Sequence, residues 1–272
     1  MTTLQYRSIF ISDVHLGTRH SKAEYLLDFL RTTESEYLYL VGDIFDIWQM
    51  QKRVHWTDAQ NAVLNEIFRK ANSGTKVVYI PGNHDAWFRD FAGSSYRGVE
   101  VRLNAEHITA DNRRFFISHG DEFDTLVRHN KILLLIGDHA YNWLLKLNRV
   151  ISKLRLLFGK PYWSLSAWLK TRVNNANQYI DKFEAVAAHH ANKQGYDGYV
   201  CGHIHKSGIR KIDGVLYCND GDWVEHCSAL TEDANGWIQL LHWSDRARIE
   251  AQNRGNEIDC NVYPLERPER AA

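Results

Sequence analysis

A chain of 272 residues, 44% hydrophobic and 24% charged, can bury a sizeable core as one large domain or two small ones. Its 33 lysines and arginines balance 33 aspartates and glutamates, so global charge gives no footprint for nucleic acid, and no nucleic-acid partner is expected. The longest apolar runs, such as ILLLIG, fall far short of the roughly 20 residues that span a bilayer, and MTTLQYRSIFISDV lacks the pattern of a signal peptide.

The first apolar run, RSIFISDVH, reads as a strand that stops at Asp13 and His15. SKAEYLLDFLRTT follows with helical periodicity and Ser21 as its expected N-cap. EYLYLVGDIFD is a second strand, ending at Gly42 and Asp43. TDAQNAVLNEIFRKANSG is again helical and closes on Gly74 in a C-cap position. TKVVYIPGNHD and RRFFISHGD are strand-like runs that end at Asn83 and His119, and DGYVCGHIH is a fifth that ends at His203 and His205. Strands alternating with helices predict an α/β sheet whose ligands bind beyond the carboxyl ends of the strands.

Residues 124–194 break this rhythm. Apolar residues at 133, 136, 140, 144, 147, 151, 154 and 158 predict long amphipathic helices, broken near Gly159-Lys160-Pro161. The segment lies between two strand-end motifs and so reads as a helical insertion within a core of 1–123 and 195–243. Beyond residue 208, GVLYCNDGDW and GWIQLLHW are strand-like with no helix between, which predicts a second, antiparallel layer. Residues 244–272 are polar and aperiodic, as expected of a loose tail. Cys201, Cys218, Cys227 and Cys260 form no Cys-x-x-Cys pair, which fits a reducing, cytoplasmic setting without a zinc knuckle.

The chemistry gathers at the strand ends. Asp13 and His15 are two apart, as are His203 and His205, and in extended backbone such pairs point the same way. With Asp43, Asn83 and His119 the set is two aspartates, one asparagine and four histidines. Alone, His-x-His is ordinarily a pair of surface histidines; five such motifs in order are not ordinary loop polarity. Mixed carboxylate, amide and imidazole donors suit Mn²⁺, Fe or Zn²⁺. Seven are too many for one tetrahedral ion and suit two divalent ions about 3.5–4 Å apart sharing a carboxylate. Glycines before Asp43, Asn83 and His203 fit tight turns.

Asp-Val-His, Gly-Asp-Ile-Phe-Asp, Gly-Asn-His-Asp, His119-Gly-Asp and Gly-His-Ile-His resemble the five motifs of calcineurin-like metallophosphoesterases, over residues 8 to 225. The resemblance implies an α/β fold, a four-layer αββα sandwich with two metals at the strand ends. It assigns Asp13, His15, Asp43 and His205 to one ion and Asp43, Asn83, His119 and His203 to the other, with Asp43 as the bridge. His84 is then the candidate donor of a proton or hydrogen bond to the phosphoryl or leaving oxygen, oriented by Asp46 or Asp85.

Within that superfamily, SDVHLG, GDIFDIW and a helical insertion after His119-Gly-Asp look most like the bacterial UDP-2,3-diacylglucosamine diphosphatases of lipid A synthesis, whose insertion forms a lid over acyl chains. Residues 128–182 hold ten lysines and arginines against Asp138 and Asp181, interleaved with aromatics. That pattern fits a lipid phosphate or peripheral contact with the inner face of the membrane, and it equally fits helices packed on the core. Asp124, Trp143, Arg149 and Trp163 are the candidate substrate contacts. The chain departs from these enzymes at His84, where they carry arginine, and at Asp46, where they carry glutamate. The alternatives are a general phosphodiesterase or phosphatase, a nuclease, and a non-catalytic scaffold; all seven ligand positions being filled argues against the last.

Overall fold

The computed structural model describes residues 3–127 and 174–243. Of the expected insertion, 124–194, residues 128–173, with Trp143, Arg149 and Trp163, lie outside the described residues, as does the expected tail from 244. The first sheet is built on four parallel strands, β1 (Leu4–Ile11), β2 (Thr33–Val41), β3 (Lys76–Ile80) and β5 (Val99–Val101), with β4 (Ser95–Tyr96) antiparallel at one edge. The second contains β6 (Ala105–Ile108), β7 (Arg114–Ile117), β8 (Gly198–Cys201), β9 (Gly208–Ile212) and β10 (Val215–Asn219), in the order β6-β7-β8-β10-β9.

Both faces of the first sheet are buried, which is why its strands read as continuous apolar runs rather than alternating ones. Ile9, Ile11, Leu38, Leu40 and Val77 face α1 (Ala23–Thr32) and α3 (Asp58–Asn72), meeting Leu26, Phe29, Val63 and Ile67. Their neighbours Phe10, Tyr39, Val41, Val78 and Ile80 face the second sheet, meeting Phe115, Ile117, Val200 and Cys218. α4 (Asn174–Lys193) covers the outer side of that sheet, where Phe183, Ala187 and Ala191 pack on Tyr199 and Tyr217. The layers are therefore helix, sheet, sheet, helix. Truncating a fully buried ring such as Phe29 would cost about 3–5 kcal/mol.

Three expectations are revised. The chain after 208 does not form a separate antiparallel layer. β10 runs parallel to β8, while β11 (Ser228–Glu232) and β12 (Ile238–His242) cross to the first sheet, where β11 pairs antiparallel with β1. Ala229 and Leu230 fill opposite cores there, so both faces of β11 are used. Residues 174–193, grouped by sequence with the insertion, form the outer layer of the core. Ser21 does not cap α1: Lys22 holds that position, its N–H donating to Trp223 O at 2.8 Å, while Ser21 Oγ makes no hydrogen bond. Gly74 does follow the end of α3, at φ +103°, as a residue without Cβ can. Among the described residues, no helix is long and apolar enough to cross a membrane.

Candidate metal centre

Strands β1, β2, β3, β7 and β8 stop at Ile11, Val41, Ile80, Ile117 and Cys201, and the motif residues occupy the loops that follow. Backbone hydrogen bonds tie these loops together: Asp13 N–H donates to Gly42 O at 3.0 Å and His15 N–H to Asp43 O at 2.9 Å. Each carboxylate is anchored by one oxygen. Asp13 Oδ2 accepts from His203 N–H at 2.9 Å and Ser12 Oγ at 2.6 Å; Asp43 Oδ1 accepts from His84 N–H at 2.8 Å. The other oxygens face the histidines. Asp13 Oδ1 lies 3.0 Å from His205 Nε2 and 3.8 Å from His15 Nε2; Asp43 Oδ2 lies 3.4 Å from His119 Nε2 and 4.0 Å from His15 Nε2.

The pairs do not converge by strand alternation. Asp13, His15, Asp43, His203 and His205 all have left-handed backbone, with φ between 50° and 66°. Asp and His tolerate that region better than most residues, yet each such position carries strain that its surroundings must hold. Five at one rim mark the place where the fold spends its backbone freedom. Glycine is required beside them for a different reason. A Cβ on Gly42, itself at φ +87°, would run into the His119 ring; one on Gly202 would strike Ser12 and Asp13.

Three buried acceptors in this cluster, Asp13 Oδ1, Asn83 Oδ1 and His119 Nε2, have no hydrogen-bond partner. His119 Nδ1 lies 2.8 Å from Val41 O, which requires a proton on Nδ1 and makes Nε2 the nitrogen directed inward. Buried acceptors without donors call for a cation. Ligand atoms of Asp13, His15 and His205 lie within 4.8 Å of one another, as do those of Asp13, Asp43 and His119, and of His15, Asp46 and His84. Electrostatics point the same way. Burial would raise the Asp13 pKa, but His205, His15 and His119 outweigh it and hold the carboxyl well below its usual range. For Asp43, burial is outweighed by His119 and His15, which bring it down to about 2.

His84 sits at the rim, with Nδ1 3.0 Å from Asp46 Oδ1 and Nε2 4.0 Å from Asp43 Oδ2. Of its two expected partners, Asp46 is the one that meets it. Asp85 is a correction: it is fully buried and accepts from the N–H groups of Asp43, Ile44, Phe45 and Gly82 and from Tyr79 OH. It braces the loops of two motifs and does not reach His84. Asp124, expected as a substrate contact, has two protein partners. Its Oδ1 lies 2.8 Å from His203 Nε2 and accepts from Tyr179 OH at 2.8 Å, so it supports an expected ligand. His203 thus faces Asp124 with one nitrogen, its ring centre 5.2 Å from that of His119.

Sequence reading passed over Asp222 and His226. Asp222 Oδ2 is bonded by His226 Nδ1 and lies 3.9 Å from His205 Nδ1. The signal was present in NDGDW, a polar knot inside an apolar strand pair. Trp48 was also missed; its indole lies against His84, with ring centres 4.2 Å apart and planes tilted by 33°.

The sequence pattern of the calcineurin-like phosphoesterases matches residues 6–207. The chain belongs to that family. It is a hydrolase of phosphoric ester or diphosphate bonds, of the metal-dependent kind. Among curated relatives, a UDP-2,3-diacylglucosamine hydrolase of Porphyromonas gingivalis is 26% identical over 82% of this chain and 93% of its own. One of Neisseria gonorrhoeae is 26% identical over 85% and 96%, and one of Xanthomonas campestris pv. campestris 29% identical over 87% and 97%. Among solved structures, an archaeal phosphodiesterase is similar over 86% of this chain and 98% of its own, at 14% identity and a TM-score of 0.39, too low to carry weight.

Proposed function

We propose that this metallophosphoesterase hydrolyses the diphosphate or phosphoester bond of a lipid-linked substrate such as UDP-2,3-diacylglucosamine, using two divalent ions, Mn²⁺ before Fe or Zn²⁺. Asp13, His15, Asp43 and His205 would hold one ion, and Asp43, Asn83, His119 and His203 the other. The observation that carries this is the convergence of Asp13, Asp43, His15, His119 and His205 around acceptors left without donors. The name shared by relatives that align over more than four-fifths of the chain supports the substrate class. When bound, such ions acidify a shared water and neutralise charge on the phosphoryl oxygens.

The chain's own residues supply the rest. His84 Nδ1–H is held by Asp46, which leaves Nε2 at the rim to interact with a phosphoryl or leaving-group oxygen. His119 is oriented by its Nδ1 bond to Val41 O, which makes Nε2 the nitrogen turned toward the cluster. The basic, aromatic-rich segment 128–173 would cover the lipid part and rest on the inner face of an anionic membrane, in a cytoplasmic protein. The test is Mn²⁺-dependent release of UMP from UDP-2,3-diacylglucosamine in mixed micelles, set against a soluble chromogenic diester. Equal kcat/KM for both would favour the second reading, a general phosphodiesterase. The His84–Asp46 pair favours that second reading, since the diphosphatases that the sequence resembles carry arginine and glutamate there.

A further inference from the structure

A cavity of about 320 Å³ lies behind the loop that carries Asp43. While Asp43 turns toward His119, the next two residues, Ile44 and Phe45, line the cavity together with residues of α3, β3, β5 and the 3₁₀ turn Ala86–Phe91. Leu64, Phe68, Phe88, Phe91 and Tyr96 complete an apolar wall. The polar side chains Ser94 and Tyr79 along the wall are already used: exposed Ser94 Oγ donates to Phe91 O and buried Tyr79 OH to Asp85, each at 2.6 Å. An ion, sugar or nucleotide would lose its hydration there and regain no hydrogen bonds. The volume is at the small end of ligand pockets, which suits one slender apolar group.

The mouth adds a second requirement. Phe91 and Tyr96 are 45% and 68% exposed. Beside them Arg97, exposed and at φ +51°, lays its guanidinium 4.8 Å over the Phe68 ring, and no carboxylate pairs with it among the described residues. A cation that follows Tyr96 in the chain and rests on Phe68, both wall residues of the cavity, is matched by an anion on a hydrocarbon tail.

We infer that this cavity binds a single medium-length hydrocarbon chain with an anionic head group, the chain under Phe91 and Tyr96 and the head against Arg97. Burying each methylene strengthens such binding roughly fourfold, and the exposed charge pair adds less. The inference does not depend on which bond the enzyme cleaves.

The test is calorimetric titration of decanoate and of decanol, below micelle formation, into the Mn²⁺-loaded full-length chain. Saturable 1:1 binding of both is expected. Leu64→Phe, which fills the cavity, should weaken both at least tenfold; Val99→Phe is the second filling variant should the first not fold, with thermal melting as the check on both. Arg97→Gln should weaken decanoate by up to about fivefold and leave decanol unchanged. Absence of saturable binding, binding that survives in a folded filling variant, or an equal effect of Arg97→Gln on both ligands would each overturn the inference. Because binding is read without turnover, a wrong substrate assignment would leave these results unchanged. Decanoate that raises KM for an acylated diphosphate but not for a soluble diester identifies the chain as the substrate's own; unchanged KM for both identifies a separate amphiphile.

Discussion

Asp46 grips two histidines with one carboxylate: Oδ1 is 3.0 Å from His84 Nδ1, and Oδ2 is 3.3 Å from His15 Nδ1. Burial would raise its pKa, but His15 and His84 outweigh that and hold the carboxyl well below its usual range. The same Oδ1 accepts from Gln49 N–H and starts the short helix α2 (Ile47–Met50) that carries Trp48. One side chain therefore touches the rim imidazole and an inner imidazole and starts the turn that brings the Trp48 indole against His84.

His84→Ala should lower kcat by about 10²–10⁴ while leaving Mn²⁺ affinity near wild type, because His84 is placed to act on substrate rather than to complete the cluster. Asp46→Asn keeps one acceptor and should lose less. Parallel kcat and Mn²⁺ titrations separate the roles. Equal loss of Mn²⁺ affinity in His84→Ala would make it a ligand.

Asp43→Ala or His205→Ala should abolish Mn²⁺-dependent hydrolysis in a chain that stays folded by circular dichroism. Both positions lie beyond the strands in loops, so neither core layer depends on them. Chelation of the wild type should have the same effect, reversed by Mn²⁺. Full activity in either variant would sink the two-ion assignment.

Asp222→Asn should weaken Mn²⁺ binding by less than about tenfold, because its carboxylate faces His205 Nδ1 at 3.9 Å, beyond hydrogen-bond reach. The amide oxygen can still accept from Val224 N–H, which Asp222 Oδ1 meets at 2.8 Å, so the melting temperature without metal should change little. Calorimetric Mn²⁺ titration reads the effect. Unchanged affinity would leave Asp222 a loop brace only.

Glu232 is buried between the sheets, bonded by Ser8 Oγ at 2.6 Å, His107 Nε2 at 2.7 Å and Arg7 at 2.8 Å. Burial alone would raise its pKa from 4.5, but His107, Ser8 and the Ala110 N–H bring it down to about 2. The folded carboxyl is thus the stronger acid, so its contribution is complete above pH 4.5 and lost as pH falls toward 2. A shift of that size is worth on the order of 3 kcal/mol. Melting temperature measured across this window should fall more steeply in the wild type than in Glu232→Gln, and parallel slopes would refute the linkage.

Much of the fold and site was legible because burial on two faces writes itself as unbroken apolar runs, and each run stops where its loop begins. The five motifs therefore stood out at the ends of β1, β2, β3, β7 and β8. The choice between Asp46 and Asp85 was not legible. Asp85 is next to His84 in sequence and Asp46 is 38 residues away, yet Asp46 is the one that meets its ring, because Asp85 is enclosed by four backbone N–H groups, three from a loop 40 to 42 residues away and one from its own turn. Asp124 was read as a substrate contact for the same reason: spacing cannot show that Tyr179 and His203 arrive beside it.

Sequence by itself determined the donor set, the strand ends that carry it and the calcineurin-like kinship, since those depend on residue type and local order. Tertiary structure alone decided the left-handed turns at Asp13, His15, Asp43, His203 and His205, the crossing of β11 to the first sheet, and the cavity behind Phe45. Each of these is held by contacts between segments distant in the chain. Backbone strain is tolerated only where such contacts outweigh it.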